Sequence, residues 1–194
     1  MSQAIESRRV IRRLRVARVT RAVRALAPVV VIASVAMMPL AGGCTAVMTY
    51  PSYPGAPKAD PSMQPMPDLM ADALKFAHQR LAPSSELIVN LPPTTPKQVW
   101  RGVLKRDQPC RPMGPSDTRA WTIQQVRLSG GKAEVDIVYP TDGIFQLATV
   151  HFTGSTGQPF YPTQLQLWLV PVTAPIASAP ESVLTDPAGH NEPR

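Results

Sequence analysis

An uncharged run from Ala25 to Gly43 ends at Cys44, and eight arginines precede it: Arg8, Arg9, Arg12, Arg13, Arg15, Arg18, Arg21 and Arg24. As a helix these 19 residues would reach roughly 28 Å at about 1.5 Å each, close to the thickness of a bilayer core. A basic arm, an apolar segment and then small residues make the layout of a secretory signal. Two outcomes fit it, removal after Gly43 or retention as an uncleaved signal anchor. Either way the arginines stay inside and the rest of the chain lies across the membrane. Pro28, Pro39 and the Gly42-Gly43 pair interrupt a continuous helix, which favours removal.

Leu40-Ala41-Gly42-Gly43-Cys44 resembles the lipobox of bacterial lipoproteins, with Ala41 standing where that family usually carries Leu. The resemblance implies that the Cys44 sulfur receives a diacylglyceryl group and that signal peptide 1–43 is cut just before it. The new amino end is then acylated, with palmitate or a similar fatty acid. The expected location follows: the bacterial cell envelope, anchored to a membrane through the lipid on Cys44 and facing the periplasm or the exterior.

The overall charge of +7 belongs to the signal. Of 20 Lys+Arg and 13 Asp+Glu, eight Arg and Glu6 lie within 1–43, which leaves twelve of each sign and no net charge for 44–194. A nucleic-acid partner is therefore not expected. With Cys44 lipidated, Cys110 has no second cysteine for an internal disulfide, so the exported domain must rely on its core.

Prolines 51, 54, 57, 61, 65 and 67 suggest that 44–67 is an extended tether behind the lipidated cysteine. Apolar residues recur at helical spacing over Asp68–Leu81, with Arg80 intruding. Leu87-Ile88-Val89 is β-prone. Thr95, Pro96 and Gln98 spell a helix start with a capping box, and Val99, Trp100, Val103 and Leu104 supply its apolar stripe. From Ala120 the period becomes two, giving strands near 120–128, 132–140, 144–153 and 163–171. Prolines 175, 180, 187 and 193 mark 173–194 as a disordered tail. The expected fold is α+β: two N-terminal helices packed on a four-stranded antiparallel meander over 68–172.

The turn Ser129-Gly130-Gly131-Lys132 fixes a register. It sets Leu128 opposite Ala133, Val126 opposite Val135, Gln124 opposite Ile137 and, on the other face, Arg127 opposite Glu134. Val126, Leu128, Val135, Ile137, Tyr139, Ile144, Ala148, Val150 and Phe152, with the row Leu165, Leu167 and Leu169, form the expected core face. The opposite face gathers Trp121, Ile123, Val138, Phe145, Leu147 and Trp168, more apolar surface than a solvated face needs. These six are the candidate interaction surface. The hairpin Val126-Arg127-Leu128-Ser129-Gly130-Gly131-Lys132-Ala133-Glu134-Val135 is similar to those of the curved-sheet, cystatin-like and ketosteroid-isomerase-like group. That resemblance implies a cone with a pocket between helices and sheet, where a carboxylate inside the cone would act as base. Asp136 is the obvious strand carboxylate, yet the register places it with Glu134 on the far side from the core.

No nucleophile-elbow, zinc-protease, phosphate-loop or dinucleotide motif is present. No catalytic residue, cofactor or metal is therefore expected. An Asp136–His151 dyad is disfavoured because the register brings His151 near Lys132. Two readings remain. One is a non-catalytic envelope module that binds a protein partner or itself through the apolar patch. The other is a small-ligand or catalytic cone, hinted at by Gln124 and Gln146 on the core face.

Overall fold

The Gly130-Gly131 turn closes as its chemistry demands. Gly130 has φ +55, and a Cβ on Gly131 would stand 2.6 Å from the carbonyl oxygen of Gly154, whose N–H donates back to Gly131 O at 2.8 Å. The computed structural model describes residues 46–106, 110–155 and 158–187. The expected signal peptide 1–43, Cys44 and residues 188–194 lie outside the described residues.

Four long strands follow the expected hairpin order: β4 (Trp121–Ser129), β5 (Lys132–Thr141), β6 (Ile144–Ser155) and β7 (Gln158–Val172). The register set by the turn holds nearest to it, pairing Leu128 with Ala133, Arg127 with Glu134 and Val126 with Val135. Asp142 and Gly143, both at positive φ, make the next turn.

The four-stranded meander is not the whole sheet. Three short strands join it: β1 (Met48–Tyr50), β2 (Leu87–Asn90) and β3 (Cys110–Pro112). The result is a seven-stranded mixed sheet in the order β3-β2-β4-β5-β6-β7, with β1 also on β4. β2 runs parallel to both β3 and β4, while β1 is antiparallel to β4. β4 thus shares one edge between β2 at Trp121–Thr122 and β1 at Val126–Leu128. The parallel pair β2–β3 is spanned by the helix α2 (Lys97–Arg106), the kind of crossover such pairing requires. At three or four residues each, these strands are too short to declare a period, and only β4 gives them one.

α1 (Met66–Leu81) buries Leu69, Met70, Ala73, Leu74 and Ala77 and packs across β4 to β7. The intruding Arg80 lays its guanidinium 3.4 Å over the Phe76 ring. α2 buries Val99, Trp100, Val103 and Leu104 as its stripe predicts. Its Thr95 hydroxyl lies 2.8 Å from Tyr50 Oη, and Gln98 donates to Ser62 Oγ at 3.1 Å. Those two side chains therefore hold the N-terminal segment.

The extended tether expected over 44–67 is, from β1 onward, part of the domain. Tyr50 is 1% exposed, and Thr49 and Ala59 are buried with it. Thr49 N–H donates to Pro57 O at 2.9 Å, and Ala59 N–H returns to Thr49 O at 3.0 Å. These prolines shape turns rather than a spacer. The tail also folds back. Asn90 Nδ2 donates to Ile176 O at 2.9 Å, and its Oδ1 accepts from Ser178 N–H at 3.1 Å and from Ser178 Oγ at 2.8 Å. Beyond this clamp, α3 (Glu181–Thr185) seats Val183 wholly in the core. The disordered tail expected over 173–194 is thus ordered through 173–187; its prolines hide the clamp from any periodic reading.

Candidate interaction surface

A β-bulge between Ile123 and Gln125 divides the expected apolar patch. Beyond it Ile123, not Gln124, stands opposite Ile137, and Thr122 stands opposite Val138. Side chains alternate with period two, so one inserted residue exchanges the faces of everything upstream. Trp121 and Ile123 accordingly turn into the core, at 2% and 1% exposure. Trp121 stacks on Tyr139 with ring centroids 5.6 Å apart and meets the His78 ring edge-on at 5.3 Å. Four of the six patch residues stay on the helix-free face. Leu147 lies between Val138 and Trp168 in register, and Phe145 lies opposite Pro140. Val138 is buried, Phe145 and Leu147 are half-buried, and Trp168 is 42% exposed.

A polar network covers the rest of that face. Arg127 grips Asp136 with two N–H groups, Nη1 to Oδ2 at 2.6 Å and Nη2 to Oδ1 at 2.8 Å, and donates from Nε to Glu134 Oε2 at 2.9 Å. Thr149 Oγ1 donates to Asp136 Oδ1 at 2.7 Å and accepts from Trp168 Nε1 at 2.9 Å. The hydrogen bonds to Asp136 push the Arg127 guanidinium above its ordinary value. His151 lies opposite Glu134, with Nδ1 3.4 Å from Glu134 Oε1 and Nε2 3.2 Å from Gln166 Oε1. Asp136 and His151 do not meet. A carboxylate held by a bidentate guanidinium and a hydroxyl serves as structure rather than as a base.

The hints of a cone also resolve. Gln124 is the exposed residue of the bulge, and Gln146 Oε1 accepts from Tyr139 Oη at 2.9 Å. A cleft of about 350 Å³ opens between the start of α1 and the β6–β7 hairpin. Its charged groups are engaged with one another, Arg106 bridging Asp68 and Asp72. Burial pushes the Asp72 carboxyl above its usual range. Among the described residues, no three His, Cys, Asp or Glu side chains gather as a metal site would require.

β7 carries what the sequence reading missed. Its row Leu165, Leu167 and Leu169, expected in the core, is half-buried at Leu165, 44% exposed at Leu167 and 83% at Leu169. Leu169 and Val170 fall in one of the register shifts of the β6–β7 pairing, between the pairs Leu147–Trp168 and Gln146–Pro171. The strand is the sheet's last, paired only with β6, and none of its 15 residues is charged. Exposed edges are commonly blunted by charge, proline or shortness. β3, at the opposite edge, has three residues including Arg111 and Pro112. The missed signal was the long uncharged interval 158–172 itself.

Trp168→Ala is expected to cost only about 1 kcal/mol, the worth of the Thr149 hydrogen bond and partial burial. It should weaken association by more than that, and denaturation compared with sedimentation would separate the two. A loss of several kcal/mol with unchanged association would place Trp168 among the core residues. A scan against protein-family models and searches of the curated proteins and of the solved structures find no match to this chain.

Proposed function

We propose that the chain is a membrane-anchored envelope lipoprotein whose folded part is a non-catalytic interaction module. The observation that carries the interaction reading is β7, a sheet edge with Leu167, Trp168, Leu169 and Val170 exposed and no charge along it. Aromatic and aliphatic side chains at such a site are the usual anchors of protein contacts. The anchor reading rests on Leu40-Ala41-Gly42-Gly43-Cys44 behind the basic arm and apolar run.

The two halves of the proposal fit each other in scale. Only residues 45–47 separate Cys44 from β1. At no more than about 3.6 Å per residue step, that length holds the domain within about 15 Å of the lipid. Neighbouring copies tethered so closely to one surface meet at raised effective concentration.

Cys44→Ser in the full chain is the test of the anchor. The substituted protein is expected to accumulate as an uncleaved precursor that takes up no labelled palmitate. Continued processing after Gly43 would replace the lipobox with an ordinary signal peptide.

A further inference from the structure

We infer that the open edge of β7 is built to pair with β7 of a second copy, antiparallel across a two-fold axis through Gln166, so that two sheets become one. This rests on the interaction reading above and names its partner.

Nothing in the described fold covers that edge. α1 packs on the face of the sheet rather than beyond β7. The chain after Val172 leads away, because Ile176 and Ser178 are bound to Asn90 on β2, towards the opposite edge. Pro162 and Pro171 lack N–H groups, but they bound an eight-residue interval, 163–170, in which every residue keeps its backbone donor. Within it, Gln164 to Trp168 pair regularly with β6, from His151 to Leu147. That is an ordinary strand length.

The side chains of this interval suit a copy of themselves. Leu165-Gln166-Leu167 is a palindrome about Gln166. An antiparallel pairing centred there sets Leu165 against Leu167 twice on the helix-covered face. On the outer face it sets Gln166 against its own copy and Gln164 against Trp168. An amide both donates and accepts, so Gln166 facing itself can hydrogen-bond in both directions, where a charged residue would repel its copy. The self-pairing buries no charge, and an isologous interface of this kind closes at two subunits. A partner strand carrying charges would find no complement between residues 158 and 172.

The test uses the full chain in membranes and in mild detergent. In a Cys110→Ser background, Gln166→Cys places two thiols across the axis. Directly opposed residues of an antiparallel pair have Cα atoms about 4.5–5.5 Å apart, within the reach of a disulfide. Mild oxidation should yield a species of twice the mass, reversed by reductant and absent from the Cys110→Ser parent. Gln166→Glu keeps an acceptor for His151 but sets like charges face to face. It should weaken dimerisation by about tenfold or more on sedimentation, with far-ultraviolet circular dichroism unchanged.

A monomeric parent chain, or a Gln166→Cys adduct formed only with a different protein, overturns the self-pairing. A dimer that survives Gln166→Glu and gives no Gln166→Cys bridge overturns it too. Palmitate labelling in the same preparations separates the two ideas. Labelled monomer sinks the pairing alone, whereas an unlabelled but cross-linked dimer sinks the anchor alone.

Discussion

Tyr50→Ala is expected to lower the stability of the domain by about 3–5 kcal/mol, the range of a large aromatic truncated inside a core. The residue lies within the proline-rich stretch whose composition suggests a spacer, yet it is 1% exposed and belongs to the main apolar cluster. Its hydroxyl lies 2.8 Å from Thr95 Oγ1 and 3.3 Å from Thr94 Oγ1. Truncation leaves a void and strips the buried Thr95 hydroxyl of that partner. Domains of this size are commonly stable by only about 5–15 kcal/mol, so the loss is about a fifth of the total or more. It would be read as a lower denaturation midpoint at unchanged slope in urea. A change below about 1 kcal/mol would show that β1 is dispensable and that the spacer reading was right. The same reasoning sets the boundary of any excised fragment. One beginning at 66 lacks β1 and the Tyr50 ring, and is expected to unfold more readily than one beginning before Met48.

What the sequence disclosed and what it withheld divide along locality. The Gly130-Gly131 turn fixed three cross-strand pairs, the Arg127–Glu134 ion pair among them, because turn chemistry acts over a few residues. Both long helices were legible from period and punctuation, α1 beginning two residues earlier than Asp68 and α2 holding its apolar stripe. The seven-stranded mixed sheet was not legible. β1, β2 and β3 acquire strand geometry from an edge of β4 or of one another, and Cys110-Arg111-Pro112 has the composition of a loop. The Asn90 clamp on 176–178 joins residues more than eighty positions apart. Four of the six candidate surface residues keep the expected face, namely Trp168, Leu147, Phe145 and the buried Val138. The other two, Trp121 and Ile123, change face through one residue, Gln124, whose insertion carries no glycine or proline to announce it. The open edge of β7 went unseen for a related reason. A row of leucines at period two reads as core unless the cover available to it is known, and α1 does not bury the row beyond Leu165.

Trp121→Ala is expected to cost about 3–5 kcal/mol, against about 1 kcal/mol for Trp168→Ala, although both tryptophans alternate onto one face in a strand reading without the bulge. The difference isolates the bulge. Trp121 is 2% exposed, sandwiched between the Tyr139 ring and the edge of His78, and it also anchors β2, since Val89 is its parallel partner. Removing the indole opens a void where α1, β2 and β5 converge. Trp168 instead faces solvent over almost half its surface, and one hydrogen bond to Thr149 holds it. Association should respond in the opposite order, unchanged by Trp121→Ala under conditions where the variant remains folded and weakened by Trp168→Ala. Equal losses of stability would mean that β4 runs without interruption through Gln124. In that event Trp121 and Ile123 would return to the outer face, and the interaction surface would be the larger patch that the uninterrupted alternation describes.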